Sequence, residues 1–345
     1  MGEMQNAIIY TGPGKWELTK KPVPAVKNDK DVLIKILAAS ICGTDVHILA
    51  DPPEYPAEEG VTIGHELVGE VVDTGKGVVS LSKGDRVILD NNLACGVCDC
   101  CKSGNSNVCS NMVSLGMQLD GAFAQYCVAP ESNLVKINKD VPVDMAIFAE
   151  PLNCVMGGMQ KIKIMPGDSV LILGGGPIGM YFAKMCRMEG AGKVYVSEVS
   201  EKRTALLEKS GVDRIINPVK EKLSDVIHAE HPTGVDLVID CVGVLINDAL
   251  DCIKPAGEIL LFGLNENARE TICQSFITRQ GITIKGNFIG NNVLNIVAKG
   301  LNSGQLDFRY MITHKLPLEE FGTGLEAMRK GEAVEVVLYP WGEIE

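Results

Sequence analysis

Short apolar runs separated by turn-forming residues fill the first part of the chain, up to about residue 150. Runs of this kind cover residues 31–41, 66–75, 84–89 and 122–130, and Gly, Pro or Asp punctuate the stretches between them. Helical periodicity is weak there. Short β-like runs with frequent turn signals are typical of strands joined by tight connections. The pattern therefore predicts a compact, mostly β domain.

A different pattern begins after Pro151. Residues 169–218 have the order strand, glycine-rich turn, helix, strand, helix, strand, and further apolar strands follow at 235–243, 257–264 and 281–290. Strands that alternate with helices form parallel sheets whose two faces the helices cover. This part of the chain is therefore predicted to be a doubly wound parallel-sheet domain.

The tail of the chain has a mixed pattern. It predicts a helix, an extended segment, a second helix and a final strand that returns to the first domain, over residues 291–305, 311–318, 318–332 and 333–340. The predicted organisation is a mostly β domain over 1–153, a parallel-sheet domain over 154–291, and a return to the first domain over 292–345. The fold class is α/β.

Composition excludes several classes of partner. The chain has 345 residues, of which 46% are hydrophobic and 22% charged, as expected for two globular domains. The net charge is -12 without a long basic run, so nucleic acid is not an expected partner. Residues 1–20 lack the pattern of a signal peptide, and no apolar stretch is long enough for a membrane span. We expect a cytoplasmic protein.

Four of the twelve cysteines form a cluster with the spacing C-x2-C-x2-C-x7-C. Thiolates at this spacing can surround one tetrahedral zinc ion, so a structural-zinc lobe is predicted at about 90–112, with the ligands Cys95, Cys98, Cys101 and Cys109. Cys100 breaks the spacing and is expected to face away from the metal. The alternative is a redox-active thiol cluster. In a long chain without a signal peptide, most other cysteines are expected to be buried thiols.

A dinucleotide-binding pattern follows the first strand of the second domain. Gly174, Gly176 and Gly179 form G-x-G-x-x-G where a strand ends and a helix begins. These glycines allow a tight turn, a close approach to a pyrophosphate, and close packing of helix and strand. Glu198 ends the next strand and can accept hydrogen bonds from the ribose hydroxyls, which favours NAD over NADP. The alternative is a glycine-rich turn that binds no nucleotide.

A second metal site is suggested by Cys42, His65 and Glu66, which are residue types that bind zinc. Alone, these residues fit equally well a buried thiol and a His-Glu pair in a protein core. Their occurrence together with the cysteine cluster and the glycine pattern strengthens the metal hypothesis.

The chain resembles the zinc-dependent medium-chain dehydrogenase/reductase family. The resemblance rests on the G-H-E-x2-G motif that begins at Gly64, on the four-cysteine lobe and on the G-G-G-P-I-G turn, and it spans nearly the whole chain in the family's order. Residues 41–49 and 149–152 are similar to the sorbitol and threonine dehydrogenase branches. The resemblance implies a GroES-like, mostly β catalytic domain and a Rossmann nucleotide-binding domain.

The resemblance also implies roles for individual residues. Cys42 and His65 would bind the catalytic zinc, with Glu66 and Glu150 as carboxylate partners; Cys154 is a competing ligand in place of Glu150. One of the two carboxylates would bind directly while the other exchanges with water or substrate.

Thr44 and His47 match the proton-relay positions of the same branches. The alternative for His47 is a structural histidine hydrogen-bonded within the β domain. Asp45 is expected to cap a turn or to orient a ligand. In the nucleotide domain, the positions implied to contact the cofactor are Pro177, Ile178, Glu198 and Arg203, with Leu264 and Phe288 beside the nicotinamide.

One position departs from these branches. They carry a histidine seven residues after the glutamate of the E-P-L motif, where this chain has Gly157. The departure leaves the zinc and NAD chemistry untouched but puts sorbitol and threonine in doubt as substrates. The acidic, proline-rich segment 50–60 does not indicate a substrate.

The predicted function is hydride transfer between a secondary alcohol of a small polar substrate and NAD, with two zinc ions per chain. The substrate would be a polyol, a sugar-derived alcohol or a hydroxy amino acid. Two alternatives stay open: a redox-neutral epimerase, lyase or dismutase that recycles NAD, and a non-enzymatic zinc protein that binds NAD. Relatives in these branches imply a homo-oligomer, either tetramer or dimer.

Overall fold

The computed structural model describes residues 3–342. It divides into two compact units. One contains the residues up to Asn153 together with those from Asn291 onward, and the other is Cys154–Gly290. The second unit thus ends one residue before the predicted boundary at 291. The outermost residues of the predicted domains, 1–2 and 343–345, lie outside the described part of the chain.

The N-terminal part is mostly β, in agreement with the frequent turn signals. Its strands are β1 (Met4–Gly12), β2 (Lys15–Pro22), β3 (Asp31–Ser40), β4 (Glu66–Thr74), β5 (Arg86–Leu89), β6 (Asn92–Leu93), β7 (Val113–Ser114), β8 (Tyr126–Pro130) and β9 (Leu134–Ile137). Its helices are α1 (Gly43–Ile48), α2 (Asp99–Lys102), α3 (Val143–Ala146) and α4 (Ala149–Met159), with 3₁₀ turns at Ser106–Val108 and Glu131–Asn133.

The middle of the chain alternates strands and helices. Its elements are β10 (Ser169–Leu173), α5 (Pro177–Met188), β11 (Lys193–Ser197), α6 (Glu201–Lys209), β12 (Arg214–Ile216), α7 (Leu223–Glu230), β13 (Val235–Asp240), α8 (Ile246–Cys252), β14 (Ile253–Leu261), α9 (Gln274–Gln280) and β15 (Thr283–Gly286). The tail forms α10 (Leu294–Asn302), β16 (Ile312–Pro317), α11 (Phe321–Arg329) and β17 (Glu335–Tyr339), with 3₁₀ turns at Arg309–Met311 and Leu318–Glu320.

The main sheet of the first unit has the order β16-β17-β3-β4-β5-β9, and β8 also pairs with β3. Along β3, buried residues alternate with partly exposed ones, because successive side chains of a strand point to opposite faces. The last strand, β17, pairs antiparallel with β3, so the tail completes the sheet that the N-terminal part begins.

The sheet of the second unit is parallel throughout the pairs that the structure describes, in the order β12-β11-β10-β13-β14-β15. All five residues of β10 are buried, as expected for a central strand covered on both faces. The chain leaves β10 in one direction across the sheet and later returns to its other side as β13. This reversal creates the crevice where doubly wound sheets bind ligands, beyond the carboxyl ends of the strands.

Candidate metal centres and cofactor site

Cys42, His65 and Glu66 meet because two strands end side by side. Cys42 follows β3 and is the N-cap of α1, while His65 immediately precedes β4. The antiparallel register pairs Ser40 with Glu66, which brings the end of β3 next to the start of β4. One ligand atom from each of the three residues lies within 4.8 Å of the others.

This donor set fits a zinc ion. Zinc binds thiolate, imidazole and carboxylate, and the donors of a tetrahedral site lie about 3.3–3.8 Å apart. Three protein ligands also leave a position open, as catalytic zinc sites require. Glu150, in the first turn of α4, is buried, and its charge helps to raise the pKa of Glu66. Glu150 therefore lies near the cluster, but it is not among the three residues whose donor atoms converge.

The surroundings of the three residues raise all three of their pKa values. Burial, followed by the charge of Glu150, raises the pKa of Glu66 to about 7. Burial and the charge of Glu66 raise the pKa of Cys42 to about 12. Burial alone would lower the pKa of His65, but the charges of Asp45 and Cys42 outweigh it and raise this pKa well above its usual value. A divalent cation would stabilise the charged forms of the acids and compete with their protons.

Two buried side chains contact the three converging residues. Asp45 is fully buried; its Oδ2 accepts a hydrogen bond from the backbone N–H of Cys42 (2.9 Å), and its Oδ1 lies 3.5 Å from Nδ1 of His65. Asp45 thus caps the helix, as one of its two predicted roles requires, and its second oxygen faces the ring of His65. The hydroxyl of Ser40 donates to Glu66. Sequence reasoning missed Ser40, because only the register between β3 and β4 connects it to the site.

The two predicted relay residues lie on α1. The Cys42 thiol lies 3.7 Å from Oγ1 of Thr44 and donates to it. His47 is in the last turn of the helix with a half-exposed side chain, and its Nδ1 pairs with the carboxylate of Glu54. Glu54 belongs to the acidic segment 50–60, and sequence reasoning assigned it no role.

The four clustered cysteines converge as predicted from their spacing. Their sulfur atoms lie within 4.8 Å of one another; the Cys98 sulfur is 3.5 Å from that of Cys101 and 3.9 Å from that of Cys109. Sulfur atoms around one tetrahedral zinc ion are about 3.8 Å apart. Cys100 is not part of this group, and its carbonyl accepts hydrogen bonds from Ser103 and Asn105.

Backbone N–H groups point at the sulfur atoms of this lobe. Cys109 accepts from the N–H groups of Cys95 and Asn111 (both 3.3 Å), and Cys95 accepts from the N–H of Cys98 (3.4 Å). Such bonds stabilise thiolates. Hydrogen bonds from the Cys101 and Ser110 backbone lower the pKa of Cys98 to about 5. Burial and the neighbouring thiols have the opposite effect on Cys101 and raise its pKa to about 12.

The glycine turn has the geometry of an anion site. Gly174 has a φ of +96°, and a Cβ on Gly179 would lie 2.0 Å from the carbonyl oxygen of Gly174, so helix α5 packs directly on the turn. Gly176 is the N-cap of α5 and offers no side-chain cap, and Pro177 begins the helix. The first N–H groups of the helix can therefore receive a phosphate. Ile178 follows Pro177 and is partly exposed.

Glu198 lies beneath this turn. It is buried; its Oε2 accepts from the N–H of Gly175 (3.0 Å) and from Arg203 (3.2 Å), and its Oε1 accepts from the N–H of Ser200 (2.7 Å). Two further predicted residues, Leu264 after β14 and Phe288 after β15, are 58% and 43% exposed. Both follow the carboxyl ends of parallel strands, on the same edge of the sheet as the glycine turn.

Family models match both parts of the chain. Residues 28–139 match the alcohol dehydrogenase GroES-like domain, and residues 177–302 match the zinc-binding dehydrogenase model. The chain is 36% identical over 333 residues to an L-threonine 3-dehydrogenase of Caldanaerobacter subterraneus subsp. tengcongensis, which covers 94% of this chain and 95% of the relative.

Solved structures agree with the fold. A zinc-binding dehydrogenase from Sinorhizobium meliloti 1021, bound to NADP, has a TM-score of 0.92 and 30% identity over 98% of this chain and 100% of that one. An alcohol dehydrogenase from E. coli CFT073, complexed with NADH, has a TM-score of 0.91 and 27% identity, over 98% of this chain and 100% of that one. These matches confirm the predicted combination of a GroES-like domain and a Rossmann-like parallel sheet. Within residues 3–342, no helix is long and apolar enough to cross a membrane.

Proposed function

Because the chain belongs to the zinc-dependent medium-chain dehydrogenase family, and is thus an oxidoreductase, we propose that it transfers a hydride between a secondary alcohol of a small polar substrate and NAD. The observation that carries the proposal is the convergence of Cys42, His65 and Glu66 on one point, with ligand atoms within 4.8 Å. Thiolate, imidazole and carboxylate are donor types that zinc binds, and three of them leave the open position of a catalytic site.

The residues of this chain have separate tasks at the proposed metal centre. Cys42, His65 and Glu66 hold the ion. Glu150 supplies a second buried carboxylate, so that one of the two carboxylates can bind directly while the other exchanges with water or substrate. When bound, zinc supplies a Lewis acid that lowers the pKa of a bound alcohol. Asp45 keeps the imidazole of His65 oriented. Thr44 and His47 form the path by which the alcohol proton reaches solvent.

The glycine turn and Glu198 are proposed to bind the cofactor. NAD, when bound, supplies the nicotinamide that accepts the hydride. Gly174, Gly176 and Gly179 let the pyrophosphate approach the start of α5, beside Pro177 and Ile178. Leu264 and Phe288 are proposed to line the nicotinamide end. Support for NAD over NADP comes from Glu198, because a buried carboxylate repels a 2′-phosphate. Arg203 works against this preference. Because Glu198 is the proposed source of the preference, Glu198→Ala should weaken NAD binding and narrow the difference in affinity between NAD and NADP.

The cysteine lobe is proposed to hold a second, structural zinc, since four converging thiols leave no open position for substrate. We further propose a cytoplasmic homo-oligomer. The cytoplasm suits a chain whose twelve cysteines, all within residues 3–342, form no disulfide bond, because disulfides are rare in that compartment. The assembly, a tetramer or a dimer, is proposed by analogy with the family alone.

The substrate is proposed to be a polyol, a sugar-derived alcohol or a hydroxy amino acid. Relatives named L-threonine 3-dehydrogenase support a small polar secondary alcohol. This chain has Gly157 at a position where the sorbitol and threonine dehydrogenase branches carry a histidine. A screen of polyols, inositols, amino sugars and threonine with NAD, followed by NADH absorbance, identifies the substrate and reports whether NADH accumulates.

Replacement of Cys42 tests the proposal directly. Cys42→Ser should remove one zinc ion per chain and abolish turnover, while NAD binding, measured by calorimetry, stays at the level of the unchanged protein. Cys273→Ser, at an exposed cysteine, is the matched control and should leave metal content and turnover unchanged. Full turnover in Cys42→Ser would show that the metal centre lies elsewhere.

A further inference from the structure

Glu54 holds His47 at two points. The backbone N–H of Glu54 donates to the carbonyl of His47 (3.0 Å), and the Glu54 carboxylate pairs with Nδ1 of the same residue. The ring of Tyr55 lies beside the imidazole, with centroids 6.1 Å apart. A surface ion pair formed by chance would need only the side-chain contact. Here the backbone bond also holds the two residues next to each other, so the carboxylate starts within reach of the ring.

We propose that Glu54 is a positioning residue that sets the tautomer of His47 for proton relay. The inference rests on the proposed role of Thr44 and His47. It assigns a task to the acidic segment 50–60, for which neither the sequence nor the family comparison supplies one.

In the pair of His47 and Glu54, the imidazole is the only partner that can donate a hydrogen bond. A carboxylate only accepts hydrogen bonds, so a neutral His47 paired with Glu54 carries its proton on Nδ1. The other ring nitrogen, Nε2, then presents a lone pair and can receive a proton. In the opposite tautomer, Nε2 already carries a proton and the relay is blocked. An acceptor on Nδ1 therefore prepares the ring for its task before substrate arrives.

The position of the pair favours a role in positioning over one in folding. The side chains of His47 and Glu54 are 49% and 58% exposed, and ion pairs at such exposure contribute little to stability. Glu54→Gln should therefore fold normally. The amide of the glutamine can donate as well as accept, so it no longer selects one tautomer of the histidine.

The test combines a spectroscopic and a kinetic measurement. In protein labelled with 15N-histidine, the ring nitrogen shifts of His47 at a pH where the ring is neutral should show the Nδ1–H tautomer. Glu54→Gln should give a mixture of tautomers and lower kcat about tenfold, with KM nearly unchanged, a fraction of the factor of 10²–10⁴ that proton transfer contributes. Glu58→Gln, at another exposed glutamate of the same segment, is the matched control and should change neither quantity.

A second comparison separates this inference from the proposed function. In a His47→Asn background, Glu54→Gln should have no further effect on kcat, since Glu54 acts through His47. The inference is overturned if His47 is an Nε2–H tautomer in the unchanged protein, if Glu54→Gln leaves the tautomer or kcat as it was, or if it lowers kcat equally without His47. Failure of the proposed function itself would appear in Cys42→Ser, whatever the tautomer of His47.

Discussion

The carboxylate of Asp45 connects two of the proposed zinc ligands, because one oxygen accepts from the N–H of Cys42 while the other faces Nδ1 of His65 at 3.5 Å. An Asp45→Asn variant should present an amide N–H₂ to one of these two donors. His65 would then be favoured in the tautomer whose proton occupies the nitrogen that zinc needs. Loss of such a partner typically weakens metal binding by about 10- to 100-fold.

Competition with a chelator, with zinc release followed optically, measures the affinity of each of the two sites. The weaker binding should affect only the site at Cys42, and the cysteine lobe should keep its ion. Asp140→Asn, at an exposed aspartate, serves as the control. An unchanged affinity in Asp45→Asn would mean that Asp45 acts only as a helix cap.

The cysteine lobe offers a comparison between neighbouring thiols. Cys98→Ser should lose one zinc ion per chain and lower the unfolding temperature, because metal binding by such lobes is a large part of their folding free energy. Cys100→Ser should keep both ions and the unchanged unfolding temperature, since Cys100 lies outside the converging group. Metal analysis and calorimetry on the two variants check this, and equal behaviour would refute the assignment of the four ligands.

The fold could be predicted largely from the sequence because each part of it has a local signal. A short apolar run between turn-forming residues marked β3, and the strand-turn-helix order marked β10 and α5. The candidate site could be predicted for a similar reason, since Cys42, the His65-Glu66 pair and the cysteine spacing are recognisable motifs. The supporting residues could not be predicted. Ser40 reaches Glu66 only through strand register, and Glu54 reaches His47 only through a loop conformation that no residue pattern specifies.

The hydrogen-bonded pair of Asp90 and Asn153 gives a prediction about the pH dependence of stability. Nδ2 of Asn153 donates to Oδ2 of Asp90 (3.2 Å), while Oδ1 of Asn153 is buried without a hydrogen-bond partner among residues 3–342. Burial raises the pKa of Asp90. In Asp90→Asn, the amide of Asn153 can rotate so that its oxygen accepts a hydrogen bond. We therefore expect this variant to be more stable than the unchanged protein at pH 7, by about 1 kcal/mol.

The sign of the pH dependence follows from the direction of the shift. A carboxyl group whose pKa is raised by folding lowers the stability of the folded protein as the pH rises from its unfolded-state pKa to its folded-state pKa. The advantage of Asp90→Asn should therefore be absent at low pH and complete at neutral pH. Asn153→Ala, which leaves Asp90 buried with one partner fewer, should instead destabilise by about 1–3 kcal/mol at pH 7. Denaturant titrations at several pH values measure both, and an advantage that grows as the pH falls would contradict the account.

The structure leaves little space for a side chain at position 157. Helix α4 passes close to the segment that follows β15. A Cβ on Gly157 would lie 2.5 Å from the carbonyl oxygen of Ile289 and 3.1 Å from Cα of Gly290. These are backbone atoms, which cannot rotate away as a side chain can. Ile289 also has a φ of +43°, a conformation that is strained for a β-branched residue. The segment therefore has little freedom to move aside.

Gly157→Ala should accordingly destabilise the protein by about 1–3 kcal/mol, the usual range for overpacking. Inside a helix that lacks such a contact, replacing glycine by alanine stabilises the protein by about 1 kcal/mol. At position 157 the close approach is expected to make the same replacement destabilising. Gly286→Ala is the control, because a Cβ there meets nothing within 4 Å. Denaturant unfolding of both variants decides the matter. A stabilised Gly157→Ala would show that the segment yields, and that a histidine could be accommodated as in the sorbitol and threonine dehydrogenase branches.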